Sequence, residues 1–245
     1  YEREWTDWQA GKAPLPPRRN LRLEAAVEML KGERVIHIHS YRQDEVLMFI
    51  RLAQREKITV ATFQHILEGY KVADEIAKLG AGGSCFSDWW AYKYEVVDAI
   101  PYDGAMMHAA GVVTSFNSDD AELARRMNTE AAKAVKYGGV PEDEALKFVT
   151  LNAAKQLRID DRVGSLEVGK QADLVVFGTD GPEWLTRSTE PILQLIWASS
   201  GSAVDDVYVA GKAVVRAKKS TQITGSAFTD IVTEAQERMT FLSGR

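Results

Sequence analysis

The chain has 245 residues, 45% of them apolar and 27% charged, so it can bury a sizeable core and has the composition of a globular protein. Its formal net charge of -5 gives no broad basic field, which excludes a typical nucleic-acid-binding protein and favours a small-molecule substrate. No run of roughly 18 apolar residues predicts a membrane span. The single cysteine, Cys85, cannot form an internal disulfide, which leaves the compartment open with the cytoplasm favoured.

The first half of the chain alternates between helical and strand-like patterns. The first 21 residues include Pro14, Pro16 and Pro17, whose spacing predicts an irregular approach segment. From Leu21, LRLEAAVEML predicts a helix, RVIHIHS a short strand and QDEVLMFIRLAQREK a second helix. The cycle repeats with ITVATFQH as a strand, KVADEIAKLG as a helix capped at Gly80, and GGSCFS as a third strand.

A fourth unit follows the aromatic stretch DWWAYKYEV. It comprises a short helix at YDGAMMHAAG, a strand at VVTSFNSD and a helix at ELARRMNTEAAKAVKYGG. Alternating strands and helices imply a parallel sheet, and four such units in about 110 residues are half of an eight-stranded barrel. We therefore predict an α/β fold with half of a barrel at residues 1–160, a β-rich portion with glycine turns at 161–220 and a helical tail at 221–245.

Three of the four histidines lie in two strand-end contexts, IHIHSYRQDE and TFQHILEGYK. Side chains alternate along a strand, so His37 and His39 share one face. Barrels of this kind place their chemistry at the C-terminal strand ends, where His39, His65 and Asp119 all fall. A histidine at a strand end is more often a hydrogen-bonded structural residue. However, imidazole nitrogen and carboxylate oxygen on successive strands are ligands of zinc and similar ions, and together they favour a metal site.

Longer strings add a resemblance to a known family. IHSYRQDEVLMFIRLAQREKITVATFQHILEGYKVADEIAK resembles the fifth-to-sixth-strand region of imidazolonepropionase-related members of the amidohydrolase superfamily, and VVTSFNSDD resembles their eighth strand. GGVPEDEALKFVTLNAAKQLRIDDRVGSLEVGKQADLVVF is similar to the shared ending of the superfamily. PILQLIWASSGSAVDDVYVAGKAVV is more similar to the cytosine deaminase and chlorohydrolase branch. The resemblance implies the C-terminal half of a (β/α)8 TIM-like barrel followed by part of a β-sandwich.

The resemblance also implies a metal centre and an activity. It makes His39, His65 and Asp119 the ligands of one or two divalent ions, zinc in the first place, and makes Asp119 the catalytic residue that takes a proton from the attacking water. The implied reaction is hydrolysis of a carbon-nitrogen bond in an amide, cyclic amide or amidine. One alternative is a non-catalytic scaffold, which the presence of both histidines and the aspartate argues against. Another is an inactive fragment that lacks the N-terminal metal ligands.

The family's first-strand His-x-His pair and its fourth-strand lysine or glutamate would lie before Tyr1. We therefore expect the N-terminal half of the same protein as a partner, and a homo-oligomer as the assembly. His37 and His39 have the spacing of the His-x-His motif, but their place in the chain is not that of the family's first strand. No apolar strand leads into them, and fewer than four strand-helix units separate them from Asp119.

Five further residues are candidates for substrate binding, each with a plainer alternative. Tyr41 and Arg42 directly follow His39, and the arginine could grip a carboxylate at two points or form an ordinary surface ion pair. Glu68 and Lys71 lie on the loop where substrates sit, although charged loop residues are usually only hydrated. Trp89 could line an apolar pocket or pack between loops.

Two other residues have structural interpretations. Asp120 is predicted to cap the helix that begins near Ala121, because a carboxylate suits the unpaired amides there. Cys85 is predicted to be a small buried apolar residue and not a nucleophile, because no basic residue adjoins it in sequence.

Overall fold

The computed structural model of the chain describes residues 1–86, 93–184, 195, 201–223 and 226–242. The chain divides into two compact units, Tyr1–Ser165 and Leu166–Arg245. Among the described residues no helix combines the length and the apolar character needed to cross a bilayer. The predicted three-part division, at residues 160 and 220, stays a prediction.

The first unit alternates strands and helices as the sequence predicts. Its elements in chain order are α1 (Glu2–Gln9), α2 (Leu21–Lys31), β1 (Ile36–His39), α3 (Gln43–Glu56), β2 (Val60–Gln64), α4 (Ala73–Leu79), β3 (Gly82–Cys85), α5 (Asp103–Ala109), β4 (Val113–Phe116), α6 (Met127–Gly138), α7 (Glu142–Phe148) and α8 (Leu151–Leu157). Short 3-10 turns lie at Gly69–Val72, Tyr94–Val96 and Leu123–Arg126. The four predicted strand-helix units are confirmed, except that the helices predicted at 71–80 and 122–139 each begin with a 3-10 turn.

The four strands form one parallel sheet in the order β1-β2-β3-β4. His39 at the end of β1 pairs with Gln64 at the end of β2, and Cys85 at the end of β3 pairs with Phe116 at the end of β4. The strand ends therefore meet at one edge, and the loops that follow them lie side by side. A mixed α/β fold with a parallel sheet is confirmed, while its place as half of a closed barrel stays a prediction.

Helices cover one face of this sheet and form the core. Burial alternates along β1, where Ile36 and Ile38 are half-buried and His37 and His39 are exposed, so the predicted sharing of one face by the two histidines is confirmed. Each fully buried large apolar side chain contributes roughly 1.5–3 kcal/mol by leaving water. The largest such side chains in this cluster are Val46, Ile50, Phe63, Ile66, Leu67, Ile76, Phe86, Met107 and Phe148.

The irregular segment predicted for the first 21 residues is wrong for Glu2–Gln9, which form helix α1. Glu2 and Glu4 lie in the first turn, where the positive end of the helix dipole stabilises negative charge. Trp5 packs edge-on against Trp8, one turn further along. Pro14, Pro16 and Pro17 all lie beyond the end of this helix and do not interrupt it. The prediction extended their effect to the whole segment and therefore missed the helix.

Two predicted helix ends are confirmed. Helix α4 ends at Gly80, whose φ of +75° is the left-handed conformation that glycine adopts without a steric penalty. The Asp120 side chain accepts the backbone N–H groups of Glu122 and Leu123 at 2.8 and 3.0 Å. Asp120 is therefore a cap, and the turn that it caps is the 3-10 turn leading into α6.

The second unit contains a four-stranded antiparallel sheet in the order β5-β6-β7-β8. The strands are β5 (Leu174–Phe177), β6 (Val204–Val209), β7 (Lys212–Arg216) and β8 (Lys219–Ser220), and helix α9 (Ser226–Leu242) follows. Gly211 has a φ of +74° in the tight turn between β6 and β7, as predicted for a turn glycine. The predicted β-sandwich requires a second sheet over this one and stays a prediction.

Candidate metal centre

The parallel pairing of β1 and β2 brings the two predicted histidine ligands together. His39 is the last residue of β1, and His65 follows the last residue of β2. Nδ1 of His39 lies 2.6 Å from Nε2 of His65, and the ring centroids are 4.7 Å apart. One nitrogen donates to the other in this short hydrogen bond, so two imidazole nitrogens converge on one point at the edge of the sheet.

The backbone at two predicted ligands is in an uncommon conformation. His65 has a φ of +44° and Asp119 a φ of +48°, in the left-handed region that costs most residues roughly 1–2 kcal/mol. At His65 the turn is held by the N–H of Ile66, which donates to the carbonyl of Ser84 in β3 at 3.0 Å. Backbone strain of this kind persists where the surrounding structure holds it and clusters at functional sites.

The His65 ring lies in a covered environment with a cation near it. The side chain of Tyr41 stacks on it at 4.2 Å between centroids and 26° between planes. Nζ of Lys93 in turn lies over the Tyr41 ring, 3.6 Å from its centroid. The sequence analysis passed over Lys93, although it lies within the aromatic run that was singled out. A lysine within a run of aromatic residues in the sequence was the available signal.

Burial and neighbouring charge both favour a neutral His65. Burial lowers the pKa of the His65 imidazole below its ordinary value, and the charge on His39 lowers this pKa further. Lys93 also acts to lower the pKa, whereas the carboxylate of Asp119 acts to raise it. The neutral ring is the form that binds a metal ion, so His65 is held in the metal-binding state near neutral pH.

Asp119 lies three residues beyond β4 and is exposed. Its charge reaches His65, as the opposing effect on the histidine pKa indicates. Within the part of the chain that the structure describes, no three His, Cys, Asp or Glu side chains converge closely enough to hold a metal ion. The structure thus joins His39 and His65, and the assignment of Asp119 as ligand and proton acceptor stays a prediction.

The two imidazoles fit a divalent ion such as zinc. Neutral imidazole nitrogen is a preferred zinc ligand, and Nδ1 of His39 and Nε2 of His65 are the atoms that would hold the ion in place of their present hydrogen bond. Nδ1 of His65 is buried and has no hydrogen-bond partner among the described residues. Histidine ligands usually donate this second N–H to an oxygen, so the fit calls for one more acceptor from outside the described residues.

Glu68 and Lys71 are engaged by the chain itself. The Glu68 side chain is buried, which makes the hydrated-loop alternative wrong for this residue. Its Oε2 accepts the N–H of Gln43 at 2.9 Å, and its Oε1 lies 3.5 Å from Nζ of Lys71. Lys71 also pairs with Asp98. Substrate binding by Glu68 and Lys71 stays a prediction.

The other predicted substrate-binding residues have different surroundings. Arg42 forms an exposed two-point ion pair with Asp44, with nitrogen-oxygen distances of 3.0 and 3.3 Å, so the surface-pair alternative is present in the structure. Tyr41 contacts His65 directly. Trp89 falls within residues 87–92, outside the described residues.

The sequence analysis missed a buried acid, Asp103, which contacts the loop that follows His65. Asp103 is 1% exposed, and its Oδ1 accepts the N–H of Tyr70 at 2.8 Å. Burial raises the pKa of Asp103 to about 7. The neighbouring Cys85 thiol is fully buried, as predicted, and both burial and Asp103 raise its pKa well above the ordinary value, so it is not a reactive thiolate.

Comparison with known proteins identifies the chain. Residues 22–214 match the sequence family described as the amidohydrolase family. The chain belongs to the amidohydrolase family. The predicted membership is therefore confirmed, while the narrower likeness to imidazolonepropionase-related members stays a prediction. Among its relatives, amidohydrolase tasK of Hapsidospora irregularis is 27% identical over 220 residues, which are 88% of this chain and 22% of that protein.

Solved amidohydrolase-family structures have the same mixed α/β fold. An amidohydrolase from Thermotoga maritima MSB8 superimposes with a TM-score of 0.68 at 26% identity, covering 88% of this chain and 51% of that one. An adenosine deaminase from Xanthomonas campestris with bound zinc gives a TM-score of 0.55 at 21% identity, covering 89% and 53%. The chain thus spans about half of each solved structure and less than a quarter of tasK.

Proposed function

We propose that this chain supplies part of the active site of a metal-dependent hydrolase that cleaves a carbon-nitrogen bond in an amide, a cyclic amide or an amidine. The observation that carries the proposal is the pair of imidazole nitrogens, 2.6 Å apart, at adjacent strand ends. Membership of the amidohydrolase family supports the class of reaction. The adenosine deaminase with bound zinc supports an amidine among the possible substrates and zinc as the ion, on the basis of a shared fold.

Each residue of the site has a chemical role in this proposal. One or two divalent ions held here would supply the activation of water and the polarisation of the bond under attack. His39 and His65 would hold the ion through Nδ1 and Nε2, and the lowered pKa of His65 keeps its ring available at neutral pH. Asp119 takes a proton from the attacking water and returns it to the leaving nitrogen. Tyr41 covers the His65 ring and limits the access of water to it.

We further propose that the N-terminal half of the same protein completes the site. Within the described residues, β1 and β4 each pair with one neighbour only, so the sheet has two open edges. Open parallel edges are rarely left exposed, and a closed barrel removes both. Asp119 is the third ligand of the ion in this proposal, and the ligands still missing, together with an acceptor for Nδ1 of His65, would come from strands that pair with these edges. A homo-oligomer and a small-molecule substrate complete this proposal.

The test combines metal analysis with turnover. The full-length protein should contain about one or two equivalents of zinc, manganese or iron, and it should release ammonia or amine from a panel of amides, cyclic amides and adenosine-type amidines. Chelation should abolish turnover and added zinc should restore it. His65→Ala should lower turnover by orders of magnitude with an unchanged circular dichroism spectrum, because the imidazole is a ligand in this proposal and the helices and strands do not depend on it. Undiminished turnover after complete metal removal would refute the proposal.

A further inference from the structure

Glu68 is a buried acid in the loop that follows His65. Its side chain is 7% exposed, although loops of this length usually present their acids to water. Buried carboxylates need hydrogen bonds and a countercharge. Glu68 has both, and each comes from a different neighbouring segment of the chain.

One set of contacts joins Glu68 to the segment that carries His39. Oε2 of Glu68 accepts the N–H of Gln43, the first residue of α3, at 2.9 Å. The backbone N–H of Glu68 donates to the carbonyl of Tyr41 at 3.3 Å. Two hydrogen bonds therefore join Tyr41 and Gln43, two and four positions after the β1 ligand, to Glu68, three positions after the β2 ligand.

A second set of contacts fastens the same loop on its other side. Oε1 of Glu68 faces Nζ of Lys71, which also pairs with Asp98. The N–H of Tyr70 donates to the buried carboxyl of Asp103. The loop is thus held between the segment after β1 and the segment that leads into α5, with Glu68 at the junction.

We propose that Glu68 is a positioning residue that sets the separation of the His39 and His65 rings by tying their two strand ends together. The inference rests on the proposed function in one respect, namely that these rings are the metal ligands. The hydrogen bond between Glu68 and Gln43 can itself be examined in metal-free protein. Glu68 acts through Gln43 and Tyr41, and a neutral acceptor at position 68 is enough for this role.

The experiment compares four variants of the full-length protein. Glu68→Ala removes the acceptor, and Glu68→Gln keeps an oxygen for the N–H of Gln43. Gln43→Pro removes the donor without changing the Glu68 residue itself, and proline is accepted at the first helical position because Arg42 before it is already extended. The matched control is Glu75→Ala, since Glu75 pairs with Lys78 at the same i,i+3 spacing on an exposed surface.

Amide hydrogen exchange of residues 39–46 is measured in metal-free protein, and zinc affinity is measured by competition with a chelator. Glu68→Ala and Gln43→Pro should speed exchange in this segment and weaken zinc binding by about 10- to 100-fold, the usual effect of losing a residue that orients a ligand. Glu68→Gln and Glu75→Ala should behave as wild type in both measurements. If Glu68→Ala does not fold, the amide exchange and the zinc affinity of Gln43→Pro test the inference without it.

Two results would overturn the inference. The first is wild-type exchange and wild-type zinc affinity in Gln43→Pro. The second is a Glu68→Gln protein that exchanges as fast and binds zinc as weakly as Glu68→Ala, since the ion pair with Lys71 and not the bond to Gln43 would then hold the loop. A wild-type protein that binds no divalent ion contradicts the proposed function, and the exchange measurement still decides the role of Glu68.

Discussion

Asp103 should make the stability of the first unit fall as pH rises towards neutrality. Its side chain is 1% exposed, and its Oδ2 is buried without a hydrogen-bond partner among the described residues. Burial raises the pKa of this carboxyl from 3.8 to about 7. Below the unfolded value, both the folded and the unfolded chain hold the proton. Between the two values only the folded chain holds it, so the slope of the unfolding free energy with pH is negative.

The size of the effect follows from the shift. Each pH unit between the two pKa values costs about 1.4 kcal/mol, so the whole window costs up to about 4 kcal/mol, and the slope vanishes above pH 7. Asp103→Asn keeps the oxygen that accepts the N–H of Tyr70 and stays neutral at every pH. The difference in unfolding free energy between Asp103→Asn and wild type should therefore grow in favour of the variant as pH rises from about 4 to 7, and then level off.

Urea titrations followed by circular dichroism at several pH values between 4 and 9 measure this difference. Asp74→Asn is the control, because it removes one negative charge from an exposed position on α4 and should leave the wild-type pH dependence in place. A difference between Asp103→Asn and wild type that stays constant from pH 5 to 8 would show that the buried carboxyl is already ionised in the folded protein, and the reasoning would fail.

Two other predictions concern packing and capping. Gly69→Ala would place a Cβ 2.5 Å from Sδ of the buried Met107, so it should cost about 1–3 kcal/mol in urea unfolding, and Met107→Ala should relieve part of that cost in the double variant. Strictly additive losses would contradict this contact. Asp120→Ala should cost about 1 kcal/mol and speed amide exchange at Glu122 and Leu123, because their N–H groups lose their acceptor, while Asp120→Asn should retain most of the stability. Equal stability of wild type and Asp120→Ala would argue against the cap.

Local sequence signals predicted the elements of the first unit well. The alternation of Ile36, His37, Ile38 and His39 encodes both the strand and its histidine face, and a glycine in the right place encodes the end of α4 at Gly80. These features depend on residues close together in the chain, so a short window contains the information. The helix at the N-terminus was missed because the nearby prolines were given more weight than the acids and tryptophans before them.

Side-chain surroundings at the site were harder to predict. Glu68 reads as a hydrated loop acid, yet its partner Gln43 lies 25 residues earlier and becomes a neighbour only when β1 and β2 pair. Lys93 lies over Tyr41 for the same kind of reason. The pairing of His39 with His65 was accessible because a parallel sheet brings the ends of adjacent strands together. The contacts of the loops beyond those ends depend on backbone turns such as the one at His65, which has a left-handed conformation. No local sequence pattern predicts that conformation.

The electrostatics of the histidine pair favour a metal ion over a proton. Two imidazoles whose nitrogens are 2.6 Å apart repel each other when both are charged, and burial of His65 adds to the cost of its protonated form. A divalent ion bound to both nitrogens would meet a neutral His65 ring and the opposing charge of Asp119, which the structure places close enough to act on His65. Metal binding would then release few protons from His65 at neutral pH, so little of its free energy would be lost to deprotonating this ligand. The strained turn at His65 and the stacked ring of Tyr41 hold the two imidazoles together without an ion. The conformational entropy of ordering these rings is therefore lost during folding and not on metal binding.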